Sequence, residues 1–254
     1  MKKHLVMLHG FGCDSRVFAS IGTKLSKDFD VLMVDIPGHG QTKEEFRDFS
    51  FSAYTILHAL DNYLKEPYCL LGWSMGGQIA LEMYKQSKKR CEMGDAKCDH
   101  SHIESLILIS STPRFVHSDD FPVGMNKAVF NKFKKGIDEH TESSMDDFYK
   151  LIFSKSEDGI KYIDEMKKQT PSQKTLSACM DSFEKFDERS DLSKIQVPTL
   201  ILTGDSDGII DPKASLYMSQ EIKGSIIKIL KGAGHAPPLT REKEIIDEIS
   251  KFIG

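Results

Sequence analysis

Ser74 stands in a sequence that can turn a serine hydroxyl into a nucleophile. Residues 72–76 fit the pattern G-x-S-x-G and lie between a buried apolar run, Cys69–Leu71, and a helical pattern, Gly77–Ser87. In a sharp strand-to-helix turn, the flanking glycines leave room for crowded backbone. The serine Oγ is then raised above the sheet at a helix N-terminus, which favours developing negative charge. The motif therefore predicts Ser74 as a catalytic nucleophile.

A serine hydroxyl is a weak nucleophile and needs a base, for which the chain offers nine histidines. His235 lies downstream of the serine, in a loop between the last apolar run, Ile226–Leu230, and the final helical pattern. That position and chain order suit a base acting on Ser74. His9 and His39 precede the serine, and we expect structural roles for them. Three other histidines are less suitable as the base. His58 lies inside a helical pattern, and His117 and His140 lie in the long interval in the middle of the chain.

The acid partner should follow the penultimate apolar run, where three aspartates occur close together. Asp207 has the G-x-x-D spacing after that run and is the predicted acid. Its role would be to hold the imidazole in one tautomer and to stabilise the imidazolium. Asp205 is expected to stabilise the turn, and Asp211, which precedes Pro212, is expected to cap a helix.

Two backbone N–H groups are predicted to bind the oxyanion of the tetrahedral intermediate. One belongs to Met75, directly after the nucleophile. The other belongs to Phe11, in the loop after the first apolar run, where Gly10 and Gly12 let the backbone approach a substrate closely.

The elements that must position these residues alternate between strand and helix, which predicts an α/β fold with an open, doubly wound parallel sheet of about six strands. Most of the strand candidates are continuous apolar runs, as expected for parallel strands covered on both faces. The predicted strands are Leu5–Leu8, Val31–Val34, Cys69–Leu71, Leu106–Ile109, Thr199–Leu202 and Ile226–Leu230, and the predicted helices are Ser15–Ser26, Phe51–Leu64, Gly77–Ser87, Pro212–Glu221 and Arg241–Phe252.

One long interval without a convincing strand interrupts this alternation. We expect residues 113–196 to form a helical lid inserted between core strands, with residues 1–112 and 197–254 forming the core. Such a lid would lie at the carboxyl edge of the sheet, where open α/β sheets bind ligands. The helical patterns in the interval are Gly124–Ile137, Ser144–Phe153, Ile160–Lys168 and Gln173–Phe186.

Bulk composition excludes several function classes. The chain has 254 residues and a net charge of −4, which gives no general reason to bind nucleic acid. No apolar run approaches the ~20 residues of a membrane span, and the first residues lack a secretory cleavage site. We therefore expect a cytoplasmic protein whose five cysteines are reduced. Zinc could in principle be bound by four residues, which are Cys91, Cys98, His100 and His102. Their spacing matches no strong zinc motif, so we expect a solvated loop there and no metal or cofactor.

These motifs together resemble the α/β-hydrolase superfamily over nearly the whole chain. They are His9-Gly10-Phe11-Gly12, Asp35-Ile36-Pro37-Gly38-His39-Gly40, the serine motif, Gly204 with Asp207, and His235. Finer features are similar to the pimeloyl-acyl-carrier-protein methyl ester esterase family of biotin synthesis. They are Trp73, Ser110-Ser111-Thr112-Pro113-Arg114-Phe115, Asp207-Gly208 and His235-Ala236-Pro237.

The resemblance implies hydrolysis of the methyl ester of a pimeloyl chain carried on acyl carrier protein, through an acyl-enzyme, by a monomer without cofactor. It also implies that Phe11 and the segment Phe148-Tyr149-Lys150-Leu151-Ile152 line the acyl channel, with Ser74, Met75 and His235 completing the substrate site. The family's N-terminal β-hairpin is missing here, which predicts a six-stranded sheet.

Carrier recognition departs from the family pattern, because Asp146 and Asp147 stand near the place where the family offers positive charge. Basic residues of neighbouring helices could supply this positive charge instead; they are Lys127, Lys132, Lys134, Lys135, Lys161, Lys167 and Lys168. The alternative is that these lysines only solvate the faces of their helices. The alternative functions are a general short- or medium-chain carboxylesterase or thioesterase, a carbon–carbon hydrolase or lyase of the same fold, and an inactive binding module.

Overall fold

The apolar runs form the strands of one parallel sheet in the computed structural model, which describes residues 2–93 and 102–254. Within these residues the sheet has six strands, which are β1 (His4–Leu8), β2 (Asp30–Val34), β3 (Tyr68–Trp73), β4 (Ile103–Ile109), β5 (Thr199–Gly204) and β6 (Ile226–Leu230). Their order in the sheet is β2-β1-β3-β4-β5-β6, and every neighbouring pair is parallel. The predicted fold class and strand number are confirmed.

Burial along the strands explains why their sequences differ. Every residue of β3 and β5 is buried, which matches continuous apolar runs in strands covered on both faces. The edge strands β2 and β6 are largely half-buried or exposed, so they tolerate Asp30 and Lys228. The central strands therefore carry the core of the sheet.

Helices flank the sheet, and several of them pack against each other. The helices are α1 (Ala19–Leu25), α2 (Phe49–Tyr63), α3 (Met75–Glu92), α4 (Lys127–Glu139), α5 (Thr141–Leu151), α6 (Ile160–Lys167), α7 (Gln173–Lys185), α8 (Pro212–Glu221), α9 (Pro237–Thr240) and α10 (Glu242–Ile253). The predicted helix Ser15–Ser26 instead begins with a 3₁₀ turn, Ser15–Phe18, capped by the Asp14 side chain.

Helices α4 to α7 lie between β4 and β5 in the chain, within the interval predicted as an insertion. Both ends of this helical segment meet where Arg114 and Asp187 form an isolated antiparallel bridge, and the Arg114 Nη1 atom lies 2.6 Å from the Asp187 carboxylate. Residues 113–196, the predicted insertion, are called the insertion below, and residues near its two ends meet at this bridge.

Strand order reverses beside β1, which pairs with β2 on one side and β3 on the other. In open parallel sheets a crevice forms at such a point, outside the carboxyl ends of the strands. Because all six strands run the same way, the residues that follow β1, β3, β5 and β6 reach this edge together. They include the predicted oxyanion, nucleophile, acid and base positions.

Candidate active site

Ser74 occupies the strained turn that its motif predicts. Its backbone has φ 55° and ψ −118°, and it connects β3 directly to α3. A Cβ on Gly72 would lie 2.3 Å from the Gly76 carbonyl oxygen, and a Cβ on Gly76 would lie 2.2 Å from the Leu8 carbonyl oxygen. Both glycines are therefore required by close backbone packing, which holds the serine at the end of the strand.

His235 contacts Ser74 directly. Its Nε2 atom lies 2.8 Å from the Ser74 Oγ atom, and its side chain is only 1% exposed. The indole N–H of Trp73 donates to the His235 carbonyl oxygen at 2.7 Å, so the residue before the serine also holds the histidine. The serine and the histidine are thus fixed to each other through backbone as well as side chain.

Asp207 is the aspartate that faces His235. Its Oδ2 atom lies 2.8 Å from His235 Nδ1, and its side chain is 0% exposed. Its Oδ1 atom accepts the backbone N–H groups of Ile209 and Ile210, both at 2.9 Å. The two backbone N–H groups hold Oδ1, and this orients Oδ2 of the carboxylate toward the imidazole.

The other two aspartates of this loop point elsewhere. Asp205 accepts the backbone N–H of Gly232 at 2.7 Å and so ties two loops together. Asp211 caps α8, where it accepts the backbone N–H of Lys213 at 2.9 Å. Asp211 has the cap role expected for it, whereas Asp205 accepts from the loop after β6 and not from the backbone of its own turn.

The loop after β1 is held by a buried histidine. The His9 Nε2 atom accepts the Ile36 backbone N–H at 3.1 Å, so its Nδ1 atom carries the proton and donates to the Gly10 carbonyl oxygen at 2.8 Å. Burial lowers the pKa of His9 and lowers that of neighbouring His39 to about 3, so both rings stay neutral. These histidines have structural contacts, and sequence reasoning had not identified the hydrogen bond that fixes the Gly10–Phe11 peptide.

The two predicted oxyanion donors have no competing acceptor within residues 2–93 and 102–254: neither the Phe11 nor the Met75 backbone N–H donates a hydrogen bond there. Met75 begins α3, whose first amides lack helical acceptors. Both donors are therefore available to a ligand oxygen.

A cavity of about 440 Å³ opens onto Ser74. Phe11 lines it and has ring contacts to Phe133, Phe148 and Phe183 at centroid distances of 5.4–6.2 Å. The side chains that line it come mainly from the insertion, where α4 and α5 supply apolar residues such as Phe133 and Phe148 as well as polar or charged ones, which are Lys132, Glu139 and Asp147 among others. The arrangement suits an apolar chain that ends in a carbonyl group at the serine.

Comparison with known proteins agrees with this site. A family model described as the alpha/beta hydrolase fold matches residues 3–242. This chain belongs to the α/β-hydrolase fold family. The match covers all six strands and the residues Ser74, Asp207 and His235.

Similar proteins of known name point in the same direction. The chain is 28% identical to the pimeloyl-[acyl-carrier protein] methyl ester esterase of Nitrosomonas europaea, over 95% of this chain and 92% of the relative. It is 29% identical to the protein of the same name from Wigglesworthia glossinidia brevipalpis, over 98% and 93%. The predicted family resemblance is confirmed, and the prediction of a carboxylic ester hydrolase agrees with these names.

Solved structures share the fold. An esterase from Exiguobacterium antarcticum superposes with a TM-score of 0.86 at 23% identity, covering 99% of this chain and 91% of that one. At this identity the likeness supports the fold of this α/β hydrolase.

Only part of the segment predicted to line the acyl channel reaches the cavity. Phe148 and Leu151 line it, whereas Tyr149, Lys150 and Ile152 do not. The Tyr149 hydroxyl donates to the Gly12 carbonyl oxygen, and the Ile152 carbonyl oxygen accepts the His235 backbone N–H at 2.7 Å. Helical geometry explains the difference for Tyr149 and Lys150, since Phe148 and Leu151 are three apart and share a face of α5 from which the two intervening residues turn away.

Most of the lysines proposed for carrier recognition are paired with carboxylates of the insertion itself. Lys134 lies 2.7 Å from both Asp181 and Glu184, and Lys167 lies 2.7 Å from Asp146. Lys135, Lys161 and Lys168 also have acidic partners within one helical turn. In the part of the chain that the structure describes, Lys127 and Lys132 have no ion pair, and Lys132 lies at the cavity.

The cysteines and the suggested zinc ligands require one correction. Cys13, Cys69 and Cys179 are free and buried, but Cys91 is disulfide-bonded, so the prediction of five reduced thiols is wrong there. Cys98 and His100 lie outside the described residues. Among residues 2–93 and 102–254, no cluster of three or more histidine, cysteine, aspartate or glutamate side chains is placed to hold a metal ion, and no helix is long and apolar enough to cross a membrane.

Proposed function

We propose that this protein is a serine carboxylesterase in which Ser74, His235 and Asp207 form the catalytic triad. The observation that carries the proposal is the continuous chain of two 2.8 Å contacts, Asp207 Oδ2 to His235 Nδ1 and His235 Nε2 to Ser74 Oγ, at the end of an apolar cavity. In this arrangement, His235 takes the Ser74 proton as Oγ attacks the ester carbonyl, and Asp207 stabilises the resulting imidazolium.

The same residues complete the reaction. The backbone N–H groups of Phe11 and Met75 donate to the oxyanion of the tetrahedral intermediate. His235 returns the proton to the leaving alcohol, which leaves an acyl group on Ser74. A water molecule deprotonated by His235 then attacks the acyl-enzyme, and the acid and free serine are released.

The proposed substrate is the methyl ester at the far end of a pimeloyl chain carried on acyl carrier protein. Support comes from the names of the relatives and from the cavity, in which Phe11, Phe148 and Leu151 offer an apolar path. Residues 113–196 serve as the lid that encloses the chain, and the carrier docks beside the cavity, where Lys132 is unpaired within the described part of the chain. The protein acts as a monomer in the cytoplasm in this proposal.

A second candidate is a general esterase for free short- or medium-chain esters. The neutralisation of Lys134 and Lys167 by acidic residues favours it, because an acidic carrier protein would meet little net positive charge there. The chemistry at Ser74 is the same in both cases, so the two candidates differ only in how the acyl chain is presented.

The deciding experiment compares methanol release from pimeloyl-carrier methyl ester with release from free dimethyl pimelate. Turnover of the carrier-bound ester at a kcat/KM at least about tenfold higher supports carrier recognition, since a tenfold ratio corresponds to about 1.4 kcal/mol. Equal values, or no cleavage of the carrier-bound ester, would leave the general esterase. Ser74→Ala is the control for both substrates and should abolish release, because loss of a triad nucleophile costs roughly 10⁶-fold in a comparable enzyme.

A further inference from the structure

The loop that carries His235 is held from two sides. From the core, Asp205 accepts the Gly232 N–H at 2.7 Å, and the Ala233 carbonyl oxygen accepts the Ser206 N–H at 3.0 Å. Trp73 holds the His235 carbonyl, as described above. Within the described residues of the core, these contacts leave the Gly232 carbonyl and the N–H groups of Gly234 and His235 without a partner.

Residues 152–157 of the insertion satisfy these remaining groups. The Ile152 carbonyl oxygen accepts the His235 N–H at 2.7 Å. The Ser154 and Ser156 hydroxyls donate to the Gly232 carbonyl oxygen at 2.8 and 3.0 Å. The backbone of the base is therefore bonded directly to the insertion.

Glu157 supplies the charged contact of this set. Its Oε2 atom accepts the Gly234 N–H at 2.9 Å and the Ser154 N–H at 2.8 Å, while its Oε1 atom accepts the Thr240 hydroxyl. One carboxylate thus joins the insertion, the residue before His235 and the helix that follows. Hydrogen bonds to a charged group are stronger than neutral ones.

The packing at Gly234 is too close for the contact to be incidental. A Cβ at this position would lie 2.6 Å from the Ser154 nitrogen, 2.7 Å from Glu157 Oε2 and 2.8 Å from the Ile152 carbonyl oxygen. Glycine is required there because the insertion lies directly against the loop backbone.

We propose that Glu157 is a positioning residue for His235, so that the insertion supports the base as well as covering the cavity. The inference rests on the proposed role of His235. Without the carboxylate, the Gly234 N–H and the Thr240 hydroxyl lose their shared acceptor, and the loop relaxes away from the position that sets the Nε2 to Oγ contact. A misplacement of about 1 Å at a reacting group can cost about 100-fold in rate.

The test uses Glu157→Ala and Glu157→Gln with p-nitrophenyl acetate, which is too short to depend on the cavity. We expect kcat of Glu157→Ala to fall about 10- to 100-fold while KM stays within about twofold. Fluorophosphonate labelling of Ser74 should slow by the same factor, because it also depends on the base. Glu157→Gln, which keeps one carbonyl oxygen, should lose at least about threefold.

Glu165→Ala is the matched control. Glu165 is an exposed carboxylate on α6 of the same insertion, 2.5 Å from Lys168, and has no contact with the histidine loop. Its removal should change kcat less than twofold. Circular dichroism and the melting temperature establish that each variant is folded at the assay temperature.

A double-mutant cycle separates positioning from general structural damage. If Glu157 acts through His235, adding Glu157→Ala to His235→Ala should change the residual rate less than about twofold. Unchanged kcat in a folded Glu157 variant, or the same fold-loss in the His235→Ala background, would overturn the positioning role while leaving the triad intact. A fully active His235→Ala enzyme would overturn the proposed function and this inference together.

Discussion

Replacing Asp207 by asparagine should stop catalysis while preserving the loop. The Asp207 Oδ1 atom accepts two backbone N–H groups, from Ile209 and Ile210. The single carbonyl oxygen of the new amide is expected to stay with these two donors, so its NH₂ group faces His235 Nδ1. That nitrogen must then accept a hydrogen bond, and the imidazole proton moves to Nε2. An Nε2–H donates to Ser74 Oγ and cannot take its proton.

The expected loss follows from this wrong tautomer. The same substitution in a Ser-His-Asp protease lowers kcat about 10⁴-fold. At about 1.4 kcal/mol for each factor of ten, this corresponds to about 5 kcal/mol of transition-state stabilisation. The Asp207 side chain is 0% exposed, so water cannot replace the carboxylate.

The assay is kcat on p-nitrophenyl acetate, with Asp205→Asn and Asp211→Asn as controls. Asp205 bonds to Gly232 rather than to the imidazole, and Asp211 caps α8, where asparagine caps nearly as well. Both controls should retain kcat within about threefold, since neither touches the reacting atoms. Comparable losses in all three variants, or a larger loss at Asp205 or Asp211, would refute the assignment of Asp207.

Three further predictions concern substrate, carrier and stability. Leu151→Asp should raise KM for octanoate esters about tenfold and for acetate esters less than twofold, because it places a charge at the apolar cavity. Lys150→Asp, which is not at the cavity, should leave KM for both esters unchanged. Lys132→Glu should lower kcat/KM on the carrier-bound ester about tenfold at low salt, and the loss should shrink as salt rises. Lys134→Glu should lower it less, because acidic residues already neutralise Lys134. An effect of the same size on free esters would contradict carrier docking. Burial raises the pKa of Glu188 from 4.5 to about 7 beside Glu82 and Lys85, so the folded state loses stability as pH rises from about 4.5 through 7. Glu188→Gln should therefore raise the free energy of unfolding by about 1–3 kcal/mol at pH 8.5 and by little at pH 4, and an equal change at both pH values would be inconsistent with titration of this carboxyl.

Local sequence was sufficient to predict the sheet and the sharp turn at Ser74. Continuous apolar runs such as Thr199–Leu202 predict strands because a parallel strand buried on both faces has no exposed positions. Gly72 and Gly76 predict the turn at Ser74 because the backbone approaches too closely there for any side chain. These constraints act between near neighbours in the chain, so their signal is contained in a few consecutive residues.

The contacts of chemically equal residues depend on the tertiary structure. The G-x-x-D spacing predicted Asp207 among the three aspartates of its loop, but its contact with His235 depends on how the loops after β5 and β6 meet. The residues that line the cavity also depend on the tertiary structure. Tyr149 and Ile152 look as apolar as Phe148 in the sequence, but they contact Gly12 and His235 instead.

Long-range pairing also cancelled charges that look free in the sequence. Lys134 is neutralised by residues roughly fifty positions later, and Glu157 meets Gly234 seventy-seven positions away. A sequence pattern over one helix or loop contains no information about such partners, because contact between them depends on how separate elements pack. The sequence of this protein therefore determined its sheet and the turn at Ser74, whereas the tertiary packing of loops and helices decided which side chains contact the His235 loop and which lysines are neutralised.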